Sequence, residues 1–116
     1  PPLSPPGIII PIVWSILYTL MGISFAQLEI NNLHDNDTKK VYYEQLIVNL
    51  SWPIFFFTFK WRLFYILIIL LLLILVIRMI RVFYRKEKLA GLLQIPYLLW
   101  VSFATYLNIF TYFLNN

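Results

Sequence analysis

Three short patterns in this chain pair aromatic rings with hydrogen-bonding groups at helical spacing. Trp14 and Tyr18 stand four residues apart. Gln45, Asn49 and Trp52 fall at i, i+4 and i+7, and Trp100, Ala104 and Asn108 form a third row with steps of four. On an α-helix each row occupies one face. Rings stack on flat π systems and amides fix a ligand's edges, so the chemistry offered is non-covalent capture rather than bond breaking.

Other chemistries have no residues to run them. The chain has no cysteine, which removes disulfides, thiolate catalysis and Cys-based metal sites. Its 3 glycines cannot build a phosphate-cradling loop. No carboxylate pair lies within an apolar stretch, so hydrolytic acid–base work has no candidates. His34 is the single histidine and sits in a polar stretch beside Asp35 and Asp37. It reads as a solvated loop residue rather than a haem or metal ligand. No metal site is expected. A tetrapyrrole, if bound, would be held by stacking and apolar burial, without axial His ligation.

The elements that must position these rows are membrane helices. Of 116 residues, 61% are hydrophobic and 12% charged, with mean hydropathy +0.79. A soluble domain of this size could not hide so much apolar surface. The fold class is therefore an all-α integral membrane protein. Four stretches reach the length that a bilayer core demands, about 20 residues each: roughly 8–28, 41–59, 63–80 and 89–114. They form one membrane domain over 1–116. Pro5-Pro6-Gly7 precedes the first span, and a Lys60-Trp61-Arg62 turn joins the second to the third. The run from Ile66 to Ile77 is purely aliphatic and reads as lipid-facing on most sides. A basic loop is expected from Arg81 to Lys88.

Charge gives an orientation. Lys39, Lys40, Arg78, Arg81, Arg85, Lys86 and Lys88, seven of the 9 basic residues, lie in or beside the two larger loops. Lys60 and Arg62 lie at the other end. The positive-inside rule puts the larger loops in the cytoplasm and both ends of this chain outside. Net charge of +4 thus concerns topology before it concerns nucleic acid, which is not expected as a partner. The same clustering would suit anionic lipid, but the topological reading takes precedence.

At 1.5 Å per residue, Trp14, Trp52 and Asn108 lie about 9–10 Å from the outer surface, Asn49 and Tyr18 about 15 Å, and Trp100 about 21 Å. Interfacial tryptophans belong at headgroup level, and only Trp61, in the turn, fits that belt role. Polar side chains at such depth should face other helices or a ligand. Pro53 and Pro96 are expected to interrupt backbone ladders within their spans. Gly22 and Ala26 read as a helix-packing contact, and Glu44 as solvated or paired with a nearby Lys.

Three segments carry a family resemblance. Pro5-Pro6-Gly7, Val13-Trp14, Leu17-Tyr18 and Met21-Gly22 form the first. Asn49, Trp52-Pro53 and Phe56-Phe57 form the second, and the string from Pro96 to Asn108 the third. In order and spacing they resemble the TspO/MBR family of tryptophan-rich sensory and translocator proteins. The resemblance implies a five-helix membrane bundle, usually a homodimer, that binds porphyrins and, in mitochondrial members, cholesterol and benzodiazepine-site ligands. The family's first helix should precede Pro1, so the chain looks like a member with four of five helices. Leu3 and Ile8 stand where the family has tryptophans, and Pro11-Ile12 replaces its usual Gly-Pro. Ile109 and Phe113 occupy the positions of the cholesterol-recognition tyrosine and basic residue, and no Lys or Arg follows Tyr106; cholesterol is disfavoured. By resemblance, Trp14 and Trp100 match the tryptophans linked in bacterial members to porphyrin binding and light-dependent breakdown, and Asn49 matches a pocket residue.

Residues and resemblance together predict a multi-pass protein, placed in a bacterial cytoplasmic membrane, that binds a flat hydrophobic ligand such as a protoporphyrin IX-like porphyrin. Trp14, Tyr18, Asn49, Trp52, Trp100, Ala104 and Asn108 are the expected ligand-binding residues. No catalytic residue is assigned; oxidative porphyrin degradation, the enzymatic alternative, would use Trp14 and Trp100. A structural protein with a vestigial pocket is the third reading.

Overall fold

The computed structural model describes residues 8–59 and 62–114, and their side chains except those of 55–59. Five helices follow in chain order: α1 (Ile9–Ile30), α2 (Asn36–Phe59), α3 (Arg62–Lys86), α4 (Lys88–Leu92) and α5 (Ile95–Leu114). The expectations placed on Leu3, Pro5-Pro6-Gly7, Phe56-Phe57, Trp61 and Asn116 lie outside the described residues or side chains.

Among the described residues three stretches are long and apolar enough to cross a membrane: Ile9–Ile30, Arg62–Lys86 and Lys88–Leu114. The chain is a multi-pass integral membrane protein. Helix α2 has the length, with 24 residues, but Glu44, Gln45, Asn49 and Ser51 dilute its hydropathy. Gln45 and Asn49 are buried inside the protein, so the polarity of α2 faces inward.

Several boundaries differ from expectation for local reasons. Helix α2 begins at Asn36, ahead of the expected 41, because Asp35 and Thr38 cap it reciprocally. The Thr38 backbone N–H donates to Asp35 Oδ1 at 2.9 Å, and the Asp35 N–H donates to Thr38 Oγ1 at 2.8 Å. Helix α3 runs to Lys86, so Arg81 and Arg85 stand on helix rather than in a loop. Arg and Lys are good helix formers, and buried Met79, Ile80 and Phe83 continue the inward face through this segment. The extended backbone of Glu87 (φ −151°) then breaks the helix. The expected fourth span divides into α4 and α5, which restarts just before Pro96. The interruption expected at Pro96 falls at Leu93 and Gln94, and Pro96 sits in the first turn of α5, where proline costs no ladder bond; Pro53 lies inside α2.

Helix α3 is central, packing on α2, α4 and α5, while α1 lies against α4 and α5. Ile66, Ile69, Leu72 and Val76 are buried along one face of this aliphatic run, while Leu67, Leu71, Ile74 and Ile77 are exposed. Lipid tails and protein interiors are equally apolar, so composition alone could not separate them. Gly91 permits the close approach of α4 to α3: a Cβ there would sit 2.6 Å from Tyr84 Cβ. Gly22 is exposed, and a Cβ there would meet nothing within 4 Å; the expected Gly22–Ala26 packing contact is not made within the described chain.

The basic end is tied by polar contacts. Lys86 Nζ lies 2.5 Å from Asp35 Oδ2, and Arg78 lies 3.0 Å from Glu44. Glu44 therefore pairs with an arginine on α3, not with a lysine. Glu87 accepts from Gln27 at 3.1 Å and Asn31 at 2.7 Å, joining the end of α1 to the α3–α4 junction. Buried Ser24 donates to the Ala90 carbonyl at 2.6 Å.

Candidate functional site

The buried face of α2 puts Gln45 and Asn49 one turn apart, aimed at α1 and α5. Tyr97 of α5, 1% exposed, stands between them. Gln45 Nε2 donates to the Tyr42 carbonyl at 2.8 Å, and a carbonyl can only accept. Gln45 Oε1 must then face Tyr97, whose hydroxyl donates to it at 2.7 Å. The Tyr97 oxygen accepts from Asn49 Nδ2 at 2.7 Å. Asn49 Oδ1 in turn accepts from the Tyr18 hydroxyl of α1. The direction of the whole relay is thus set by one backbone carbonyl. Gln45 and Asn49 both find partners on other helices, as a lipid-embedded polar group requires. Gln45 also rests its amide on Met21 Sδ at 3.5 Å.

Rings close the other side. Trp14 lies 5.6 Å from Tyr18, 6.5 Å from Tyr97 and 6.4 Å from Trp100, centroid to centroid. The two tryptophans meet edge to edge-on face at 86°, and Trp100 continues to Phe103 at 5.9 Å. T-shaped contacts satisfy the ring quadrupoles. Both tryptophans are only half-buried, so each keeps ring surface for another partner. Tyr18 is 37% exposed. With its hydroxyl proton committed to Asn49, its oxygen keeps lone pairs for a donor on that partner.

Four of the seven expected site residues, Trp14, Tyr18, Asn49 and Trp100, converge here. Trp52 and Ala104 are half-buried against the core. Asn108 donates to its own helix at the Ala104 carbonyl, 2.8 Å away, and is not joined to the relay. Ser102 and Thr105 likewise donate to carbonyls four residues back. These polar groups need no other helix because the backbone beneath them satisfies their donors. Tyr97, which is not among the expected site residues, is the hub. Its signal was available, since Tyr97, Trp100 and Ala104 follow at i, i+3 and i+7 on one face.

His34 is half-buried, with Nδ1 covered and unpaired, rather than freely solvated. Among the described residues no group of three or more His, Cys, Asp or Glu side chains could hold a metal.

The sequence profile of the TspO/MBR family matches residues 1–114. The chain is 36% identical over 111 residues to a tryptophan-rich protein TspO of Chlorobaculum tepidum, covering 93% of this chain and 70% of that one. It is 36% identical over 113 residues to a tryptophan-rich protein TspO of Archaeoglobus fulgidus, covering 97% and 73%. Protein CrtK of Rhodobacter capsulatus is 31% identical over 115 residues, covering 96% and 71%.

Proposed function

The chain belongs to the TspO/MBR family, and from that premise we propose that it binds a flat hydrophobic ligand of porphyrin type within the membrane. A relative in Cereibacter sphaeroides carries the name tryptophan-rich sensory protein, and a sensory or regulatory membrane role is the functional frame. The observation that carries the finer reading is the half-buried Trp14–Trp100 pair, 6.4 Å apart, seated beside the relay from Tyr18 to Gln45.

A planar macrocycle needs ring surface to stack on and apolar depth to enter. Half-buried Trp14, Trp100 and Tyr18 supply the rings. The relay supplies rigidity: Tyr18 and Tyr97 are each held at the hydroxyl, so the rings flanking Trp14 are preorganised rather than ordered on binding. Tyr18 also offers an acceptor to a ligand N–H or O–H. No histidine or cysteine stands in the cluster among the described residues, and the reading rests affinity on stacking and burial.

Titration of the purified protein with protoporphyrin IX in darkness tests the reading. Saturable binding supports it. Absence of saturable binding would leave a structural membrane protein. Illumination of the saturated complex beside free porphyrin separates a binder from an enzyme, since turnover forms a new absorbing product faster than the free porphyrin does.

A further inference from the structure

The outward face of α3 carries a second pattern that the ligand site does not use. Leu67, Leu71, Ile74, Arg78, Arg81 and Arg85 follow at steps of four, three, four, three and four. At 3.6 residues per turn all six fall within an arc of about 80°. The opposite arc holds Ile69, Leu72, Val76, Met79 and Phe83, all buried. The six-residue stripe therefore faces the surrounding lipid. Leu67 is 57% exposed, Leu71 43% and Ile74 62%, and Arg81 and Arg85 are exposed as well.

Dimensions and charge agree. Arg85 stands about 16 Å along the helix from Ile74, and Arg81 about 21 Å from Leu67. One leaflet of hydrocarbon is about 15 Å deep. Arg78 is held by Glu44 at 3.0 Å, and neighbouring Lys86 is held by Asp35 at 2.5 Å. Among the described residues no carboxylate pairs with Arg81 or Arg85. Two guanidinium groups one turn apart are thus left without a protein anion, in line with an apolar track from Leu67 to Ile74 that is about 10 Å long. A determinant of topology needs positive charge in this region but does not need it aligned over such a track.

We infer that this stripe is a binding site for an anionic phospholipid. The phosphate lies on Arg81 and Arg85, whose planar forks suit its oxygens. An acyl chain lies along Ile74, Leu71 and Leu67. A zwitterionic lipid brings a cation to the same arginines and gains less. Free phosphate reaches only the upper half of the site.

The test compares retention of dioleoylphosphatidylglycerol and dioleoylphosphatidylcholine by the full chain in non-ionic detergent, read by native mass spectrometry. The chain should retain the phosphatidylglycerol preferentially. Arg81→Gln/Arg85→Gln should weaken that retention about thirtyfold, or about fivefold to sixfold per arginine. Lys39→Gln/Lys40→Gln removes the same charge from α2 and should leave retention intact. Ile74→Ser changes no charge and should also weaken it, which keeps the inference testable if the arginine variant fails to fold. Inorganic phosphate should not displace the lipid. Equal retention of the two lipids, equal loss in both charge variants, full retention by Ile74→Ser, or displacement by inorganic phosphate would each overturn the inference.

Discussion

Tyr97 of α5 donates its hydroxyl to Gln45 of α2 across 2.7 Å, and this bond transmits the orientation of a backbone carbonyl to Tyr18 on α1. Gln45 cannot turn over without losing the Tyr42 carbonyl. Tyr97 cannot reverse without opposing two donors or two acceptors. The relay therefore locks three helices at one depth, and the aromatic cluster rests on that lock.

Tyr97→Phe should be the most costly conservative change in the site. It removes one oxygen and leaves Asn49 Nδ2 and Gln45 Oε1 without their partner in the interior. The expected loss is about 1–2 kcal/mol, read as a lowered melting temperature in detergent. Tyr18→Phe, at a partly exposed ring, should cost less. Equal costs would mean that Tyr97 is not the hub.

Asn49→Leu should lower the melting point as well, because Asn49 joins α1 and α5 through its two amide ends. Porphyrin affinity should fall with it, since Tyr18 loses its anchor. A stable variant with native affinity would remove Asn49 from both roles.

Asp35 gives the stability a defined acid dependence. The Lys86 ammonium, with the Thr38 backbone N–H behind it, lowers its carboxyl to about 2. The folded group holds its proton less tightly than the unfolded one. Its contribution is therefore complete above the ordinary Asp range and is lost as pH falls through about 2. Asp35→Asn keeps a helix cap but loses the ion pair. Its melting temperature should fall less steeply than the native protein's between about pH 4 and pH 2; parallel curves would place the acid sensitivity elsewhere.

Orientation can be read with introduced thiols, because the chain has no cysteine of its own. The seven-to-two basic asymmetry predicts that Asn116→Cys reacts with an impermeant reagent in intact cells and Asn36→Cys does not. Labelling at Asn36 would reverse the topology.

Much of this arrangement was legible in the residues, and the illegible parts share physical causes. Trp14, Tyr18, Asn49 and Trp100 could be chosen because aromatic and amide groups at mid-depth have no welcome in lipid. Asn108 satisfied the same criterion, yet its amide turns back to the Ala104 carbonyl, an outlet that spacing does not reveal. Tyr97 stands one turn ahead of Trp100 on the same face, and a row that begins at Trp100 does not reach it. Which residues of the run from Ile66 to Ile77 turn inward could not be read, because an aliphatic side chain is at home on either side of a helix. The helical course of Arg81 to Lys86 was hidden by its charge, although Met79, Ile80 and Phe83 carry the buried period into it.

The central claim is that Trp14 and Trp100 form the stacking surface for a planar ligand. Protoporphyrin IX titration in darkness, followed by the porphyrin's own absorbance so that lost tryptophans do not change the reporter, tests it most directly. Trp14→Ala and Trp100→Ala should each weaken binding about tenfold or more, as the loss of one aromatic stacking partner does. Trp61→Ala should bind nearly as the native chain does. Equal loss at all three positions, or native affinity in both Trp14→Ala and Trp100→Ala, would contradict the account.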